Sequence, residues 1–89
     1  MSDAPQISSP NRGGSYTQRL SAPVPLSLRA TVNSNTPQLF WFANDSLIGQ
    51  STAGRELTWL PAQAGKYQLR VLDSEGRSDS REIQIEFVP

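Results

Sequence analysis

Apolar and polar residues alternate with a period of two along much of the chain. Three segments, 26–32, 66–71 and 82–87, carry apolar side chains at every second position and mostly polar or charged side chains between them. Because successive side chains of a strand point to opposite faces, this period predicts strands with one buried and one solvated face. That arrangement is typical of antiparallel sheets. No segment repeats apolar residues at intervals of three and four, so no helix is predicted.

The segment 38–43 differs from the other strands because it is apolar at consecutive positions. A strand with apolar residues on both faces is expected to lie centrally and to be covered on both sides. Shorter strands are predicted at 47–49 and 56–60, and two edge strands are predicted at 5–9 and 15–20. Seven to eight short strands in one small chain predict an all-β fold, an immunoglobulin-like antiparallel β-sandwich.

One tyrosine has the spacing of a tyrosine corner, in which the hydroxyl bonds to upstream backbone at a corner of the sandwich. Tyr67 begins a predicted strand two residues before Leu69. In antibody domains the corner tyrosine precedes the second core cysteine by the same spacing. Leu28 and Leu69 are therefore expected at the two cysteine positions, with Trp41 packed between the sheets.

The composition indicates one small domain without strong electrostatic attraction. The chain has 89 residues, eight cationic and eight anionic side chains, and no cysteine or histidine. Residues 1–4 are expected to be linker or expression-derived sequence, and residues 5–89 the domain. At zero net charge no general affinity for nucleic acid is expected, and no apolar run reaches the roughly 20 residues of a membrane span. Without histidine or cysteine the common nucleophilic triads and zinc sites are excluded, so no catalytic residue, metal or cofactor is predicted.

Acidic residues cluster in the segment 73–79, which makes calcium binding an alternative to a simple turn. Calcium loops need oxygen ligands at alternating positions and a closing bidentate carboxylate. This segment offers three acids with an arginine between them. Gly76 stands where a type I turn with a bulge requires a left-handed residue. A solvated hairpin turn is therefore the favoured interpretation.

The remaining candidates are residues for a contact surface. At most two of Phe40, Phe42 and Trp59 are expected to be exposed, because the core needs aromatic side chains. The polar part is expected to consist of exposed arginines and one aspartate, for which a solubilising surface is the alternative interpretation. The candidates are Trp59, Phe42, Arg55, Arg70, Arg77, Arg81 and Asp73.

Several motifs, in their order along the chain, resemble one family. The sequence reads Ile-Ser-Ser-Pro-Asn-Arg-Gly at 7–13, Phe-Trp-Phe-Ala-Asn-Asp-Ser-Leu-Ile-Gly at 40–49, Trp-Leu-Pro at 59–61, Gly-Lys-Tyr-Gln-Leu-Arg-Val-Leu-Asp at 65–73 and Gly-Arg-Ser at 76–78. Together these motifs resemble the C-terminal domain of the penicillin-binding protein 1C family, class A bifunctional peptidoglycan synthases. The Asn-Asp-Ser turn departs from the Asp-Gly turn that the family more often has, which alters only hairpin detail.

The resemblance implies a non-catalytic appendage of a synthase that is anchored in the bacterial inner membrane and faces the periplasm. The Ser-x-x-Lys motif of the family's transpeptidase domain is absent here, because Gln63 lies three residues before the only lysine, Lys66. The Lys-Thr-Gly motif is absent because Tyr67 follows that lysine. The glycosyltransferase and transpeptidase activities are therefore expected in other domains of the parent enzyme.

Three functions remain open for such an appendage. The first is protein contact, either with the parent's own transpeptidase domain or with a periplasmic protein such as a bacterial α2-macroglobulin. The second is binding of peptidoglycan or another glycan, for which an exposed aromatic ring flanked by amide or carboxylate groups is expected. The third is a passive spacer, which would carry neither an exposed aromatic site nor an apolar patch.

Overall fold

Eight β-strands and no helix make up the described part of the chain. A computed structural model describes residues 4–10, 13–32, 38–52 and 55–89. Residues 1–3 of the expected linker and residues 11–12 of the opening motif lie outside these ranges. The strands are β1 Gln6–Ser9, β2 Ser15–Arg19, β3 Leu26–Thr31, β4 Gln38–Ala43, β5 Ser46–Thr52, β6 Leu57–Trp59, β7 Gly65–Asp73 and β8 Ser78–Val88.

The strands form two sheets that pack face to face. One sheet contains β1, β3 and β6 in the order β1-β3-β6, and the other has the order β2-β8-β7-β4-β5. Neighbouring strands are antiparallel except β2 and β8, which are parallel. Two sheets with buried inner faces are the arrangement of an immunoglobulin-like sandwich. The predicted fold class is confirmed, and the two N-terminal strands are edge strands as expected.

The inner faces of the two sheets meet in one apolar core. Trp41, Leu28 and Leu69 are completely buried, as predicted. The indole Nε1–H of Trp41 donates a hydrogen bond to Ser51 Oγ at 3.0 Å, so burial of the ring leaves no donor unsatisfied. The other buried apolar residues are Ile7, Ala30, Leu39, Ala43, Val71, Ile83 and Ile85.

The predicted tyrosine corner is present at the start of β7. The Tyr67 hydroxyl donates a hydrogen bond to the carbonyl oxygen of Gln63 at 2.6 Å. The ring of Trp59 packs edge-on against Tyr67, with ring centroids 5.0 Å apart and an angle of 82° between the planes. This is a favourable geometry for two aromatic rings, and it joins the start of β7 to β6 across the sandwich.

The hairpin between β7 and β8 closes through the predicted glycine. Gly76 has φ of 84°, in the left-handed region that a side chain with a Cβ adopts only with strain. The Asp73 N–H donates to the Arg77 carbonyl oxygen at 2.9 Å, and the Gly76 N–H donates to the Asp73 carbonyl oxygen at 3.3 Å. The turn interpretation of this segment therefore agrees with the backbone.

Four strands differ by two or more residues from the sequence prediction. β5 runs over Ser46–Thr52 instead of 47–49, β6 is confined to Leu57–Trp59, β7 extends over Gly65–Asp73 instead of 66–71, and β8 begins at Ser78. Alternation of apolar residues marks only the part of a strand that faces the core, whereas hydrogen bonding to a neighbour extends further. β5 follows β4 along its whole length, and β8 starts opposite Leu72 of β7.

The prediction that β4 is covered on both faces is wrong. β4 is an interior strand between β7 and β5, but only its inner face packs against the other sheet. Leu39 and Trp41 on that face are buried, whereas Phe40 and Phe42 on the opposite face are half-buried. The apolar residues of this second face therefore require a different explanation from core packing.

Candidate contact surface

The outer face of the five-stranded sheet presents aromatic side chains that do not belong to the core. Phe40 and Phe42 alternate along β4 with the buried residues Leu39 and Trp41, so they point away from the other sheet. Neither phenylalanine is among the partly buried residues that pack against the core. The two rings therefore form part of the surface, not of the interior.

Strand pairing extends the two phenylalanines into a continuous apolar patch. Phe42 lies opposite Leu47 of β5, and Phe40 lies opposite Leu72 of β7. Side chains of directly opposed residues lie on the same face, about 4.5–5.5 Å apart at Cβ. Leu47 is 55% exposed and Leu72 is half-buried. The term "outer patch" is used below for Phe40, Phe42, Leu47 and Leu72.

Polar side chains border the outer patch at two positions. Arg70 of β7 lies opposite Phe42, and Gln50 of β5 lies opposite Phe40. Both residues are exposed. A guanidinium and an amide next to aromatic rings supply hydrogen-bond donors that can orient a bound partner, while the rings supply apolar area.

The other half of the same face, toward β8, is polar except for Val88 at the end of β8. This contrast shows that the apolar residues are concentrated beside β5 and are not spread over the sheet. A face that was only solvated would carry polar side chains throughout. The polar residues on the half toward β8 are Lys66, Gln68, Glu82, Gln84 and Glu86.

The described residues form no cavity and no cluster of metal ligands. Within the same residues no helix is long and apolar enough to cross a membrane. A surface with exposed apolar area can bind by excluding water, at about 25 cal/mol per Å² of apolar area removed from solvent.

Asp73, which was predicted to lie on the contact surface, is buried. Its relative exposure is 2%, on the inner side of β7. Its Oδ1 accepts hydrogen bonds from the N–H of Arg77 at 2.8 Å and of Glu75 at 3.0 Å, and its Oδ2 accepts one from Arg77 Nε at 2.8 Å. The side chain therefore holds the β7–β8 turn, and the prediction that it is a surface residue is corrected.

The environment of Asp73 also explains how a buried carboxylate remains charged. Burial by itself raises the pKa of the carboxyl, because the charged form loses its solvation. The hydrogen bonds from Arg77 and Glu75 and the positive charge of Arg77 act in the opposite direction. Their combined effect places the pKa of Asp73 below its ordinary value of 3.8.

Two of the predicted arginines are engaged in local structure. Arg77 forms the ion pair with Asp73, and its guanidinium also lies 3.5 Å from Glu75. Arg81 is half-buried and donates from Nη1 to the carbonyl oxygen of Pro10 at 2.8 Å. Arg77 therefore stabilises the β7–β8 turn, and Arg81 joins β8 to the N-terminal segment. Both arginines have structural roles.

The predicted contact residues that meet fall into two separate pairs: Asp73 and Arg77 meet in the β7–β8 turn, and only Phe42 and Arg70 meet at the outer patch. Trp59 packs against the core and against Tyr67, and Arg55 is exposed but follows β5 outside the patch. Whether Arg55 binds anything stays a prediction.

Sequence reasoning missed two members of the outer patch. Leu72 interrupts the polar face of β7, where Lys66, Gln68 and Arg70 are its companions at every second position. That interruption was a usable signal. Leu47 gave no comparable signal, because only the register of β5 on β4 places it beside Phe42.

Comparison with solved structures supports the fold. The chain is similar to the fibronectin(III)-like modules of CbhA from Clostridium thermocellum, with a TM-score of 0.73, 22% identity and coverage of 96% of this chain and 98% of that one. It is also similar to part of SGBP-B from the Bacteroides ovatus mixed-linkage glucan utilization locus, solved in complex with a mixed-linkage heptasaccharide. That match has a TM-score of 0.58 and 22% identity, and it covers 98% of this chain but 25% of the other.

Comparison of sequences gives one family. The profile of the Penicillin-Binding Protein C-terminus Family matches residues 1–85, nearly the whole chain. No curated protein matches the chain. At the identities given above, the structural neighbours show the fold alone, whereas the family profile bears on the type of protein.

Proposed function

Since this chain belongs to the Penicillin-Binding Protein C-terminus Family, we propose that it is the accessory domain of a membrane-anchored, periplasmic cell-wall synthase and that it binds another protein surface through the outer patch. In this proposal the domain contributes no catalytic group of its own. Glycosyl transfer and transpeptidation take place in other domains of the parent enzyme, and this domain positions or regulates them by contact.

The observation that carries the proposal is the position of the two phenylalanines. Phe40 and Phe42 are half-buried on the face of the five-stranded sheet that does not pack against the other sheet, and Leu47 beside them is 55% exposed. Contact of clustered apolar side chains with water is unfavourable, so such clusters are usually found where a partner covers them. Aromatic residues and arginine are also the residue types enriched at protein interfaces.

Two partners fit an apolar patch bordered by one arginine. One is the transpeptidase domain of the same parent chain, which a C-terminal accessory domain can reach without diffusion. The other is a separate periplasmic protein, such as a bacterial α2-macroglobulin. In either complex the patch would form the apolar centre of the interface, and Arg70 and Gln50 would lie at its polar rim.

Glycan binding is a second candidate with its own supporting observation. Phe42 lies beside Arg70 and Phe40 beside Gln50, and a ring next to a hydrogen-bond donor is an arrangement that can hold a sugar. The similar fold of a protein solved with a bound heptasaccharide gives a further reason to test it. The described residues form no cavity, which favours protein contact, because small-ligand sites are concave and enclose most of the ligand.

Site-directed photocrosslinking in the full-length parent enzyme tests the proposal. p-Benzoylphenylalanine replaces Leu47 in the outer patch or, as the control, Gln84 on the polar half of the same face. In intact cell envelopes the probe at Leu47 is expected to give a discrete crosslink to one protein segment, identified by mass spectrometry, and Phe42→Ser is expected to abolish it. The probe at Gln84 is expected to give none.

Three results would contradict protein contact. Equal crosslinking from both positions would show that the outer patch has no preference for a partner. Cosedimentation of the domain with purified peptidoglycan, lost in Phe42→Ser and retained in Gln84→Ala, would favour the glycan alternative. If neither crosslinking nor cosedimentation depends on Phe42, the domain is a spacer.

A further inference from the structure

The structure leaves one sheet edge much less protected than the other three. Among the strands that the structure describes, four lie at sheet edges: β1, β2, β5 and β6. An edge strand exposes unpaired backbone N–H and C=O groups, and proteins normally protect it by shortness, charge, proline or a bulge. A comparison of the four edges therefore shows which one remains available to another chain.

Three of the edges have clear protection. β1 has four residues and lies between Pro5 and Pro10. β6 has three residues and is followed closely by Pro61. β2 has five residues and ends in the charged side chain of Arg19. Each of these strands offers little regular backbone to an added strand.

β5 has almost none of this protection. It has seven residues, Ser46 to Thr52, with no charged side chain and no proline. Its one irregularity is a shift in register between Gly49 and Leu47, which leaves residues 49–52 in regular pairing with β4. Among the described residues no strand pairs with its free side, and the Arg55 N–H donates a hydrogen bond to the carbonyl oxygen of Thr52, the last residue of β5.

We propose that β5 is a strand-addition site, at which an extended, uncharged segment of another polypeptide pairs with the free edge and continues the five-stranded sheet. In an antiparallel ladder alternate residues of an edge strand point their N–H and C=O groups away from their only partner. An added strand satisfies these groups in register. This mode of recognition supplies affinity through the backbone and specificity through alternate side chains.

The side chains beside the edge define the segment that fits. On the outer face an added strand places one side chain next to Leu47 and another next to Gln50, because opposed residues share a face. The first position suits an apolar side chain that extends the outer patch, and the second suits a polar one. Because β5 carries no charge, a strongly charged segment gains nothing there. The inference goes beyond the proposed function, since strand addition needs only the free backbone and would stand if the outer patch bound nothing.

Amide NMR of the isotope-labelled 89-residue chain tests strand addition with a defined probe. The probe is the capped peptide Thr-Val-Thr-Val-Thr, and its control is the same peptide with every amide N-methylated, which can no longer donate hydrogen bonds. The expected result is a saturable shift of the amide signals of β5, with hydrogen exchange of alternate amides between Ser46 and Ser51 slowed by about tenfold or more. The N-methylated peptide is expected to produce no shift.

A matched pair of variants locates the site. Gln50→Lys puts a charge on the edge strand and is expected to weaken peptide binding by about tenfold or more, because a lysine on an edge strand is a common block to strand addition. Gln68→Lys puts the same charge on β7, an exposed position of an interior strand, and is expected to leave binding unchanged.

Four outcomes would overturn the inference. The first is that the β5 amide signals do not shift at any peptide concentration. The second is that the N-methylated peptide binds equally well, and the third is that the shifts fall on β2 instead of β5. A fourth outcome, dimerisation of the chain through β5 without peptide, would also overturn it, because the occupant would then be a second copy.

Discussion

Two leucines lie on opposite faces of β7, one in the core and one in the outer patch. Comparing them tests directly whether the outer patch is packed less tightly than the core. Leu69 points into the core and is completely buried, whereas Leu72 points outward and is half-buried. The same substitution, Leu→Ala, can be made at both positions. Chemistry and strand are therefore matched, and only the environment of the side chain differs.

The expected costs follow from burial. Leu→Ala removes three carbon atoms, each worth about 0.8 kcal/mol when buried. At Leu69 the enclosing core also retains a cavity, so the total loss in the free energy of unfolding is about 3–5 kcal/mol. At Leu72 the burial is partial and no enclosed cavity forms, so the loss is about 1 kcal/mol. The two variants should thus differ by about 2 kcal/mol or more.

Urea unfolding followed by tryptophan fluorescence measures the difference. The midpoint is expected to fall strongly for Leu69→Ala and slightly for Leu72→Ala, with the slope of the transition unchanged. A domain of this size is stabilised by roughly 5–13 kcal/mol, so Leu69→Ala can approach the limit of folding. Ile83→Val, at a core position that is 1% exposed, is a milder core variant with an expected cost of about 0.5–1.5 kcal/mol.

One result would refute the reasoning. If Leu72→Ala destabilises the domain as much as Leu69→Ala does, the outer face is packed as tightly as the core. The outer patch would then be a structural element, and the argument for a contact surface would lose its premise. Equal small losses at both positions would instead show that the core assignment of Leu69 is wrong.

Three further predictions concern the corner and the β7–β8 turn. Tyr67→Phe removes the 2.6 Å hydrogen bond to Gln63 and should cost about 1 kcal/mol of unfolding free energy; no loss would mean that the ring alone makes the corner. Gly76→Ala should cost about 1–2 kcal/mol through its φ of 84° alone, since a Cβ there has no neighbour within 4 Å; an unchanged midpoint would contradict the strain. Asp73 has a lowered folded pKa, so its stabilisation is fully present above its unfolded value of 3.8 and is lost as the pH falls through the folded pKa. Urea midpoints of wild type and Asp73→Asn should therefore differ at neutral pH and converge in acid, and a constant difference would exclude this linkage.

Sequence reasoning recovered the elements that depend on local pattern. Alternation identified β3, β7 and β8, because a strand that lies on a core repeats apolar residues at every second position. The tyrosine corner and the left-handed Gly76 were also predicted, because each depends on a short spacing within one turn. Trp41 was correctly placed in the core, since a large aromatic ring amid apolar neighbours is normally buried.

The candidate site was recovered only in part, and the errors have a common cause. Phe42 and Arg70 were named, but their proximity was not predicted, because it depends on the pairing of β4 with β7. Asp73 was expected at the surface because carboxylates are normally solvated. Its burial depends on the closure of the β7–β8 turn, which brings Arg77 to it.

The amino-acid sequence by itself determined the class of fold, the strands that line the core, the corner and the turn, since each of these rests on periodicity or on spacing within a few residues. Only the tertiary structure decided which apolar face of β4 is covered, because coverage depends on a second sheet whose residues are distant along the chain. It also decided that Leu47 lies beside Phe42 and that β5 is a long free edge, because strand order and register are set by pairing between segments. The outer patch and the open edge are products of that pairing.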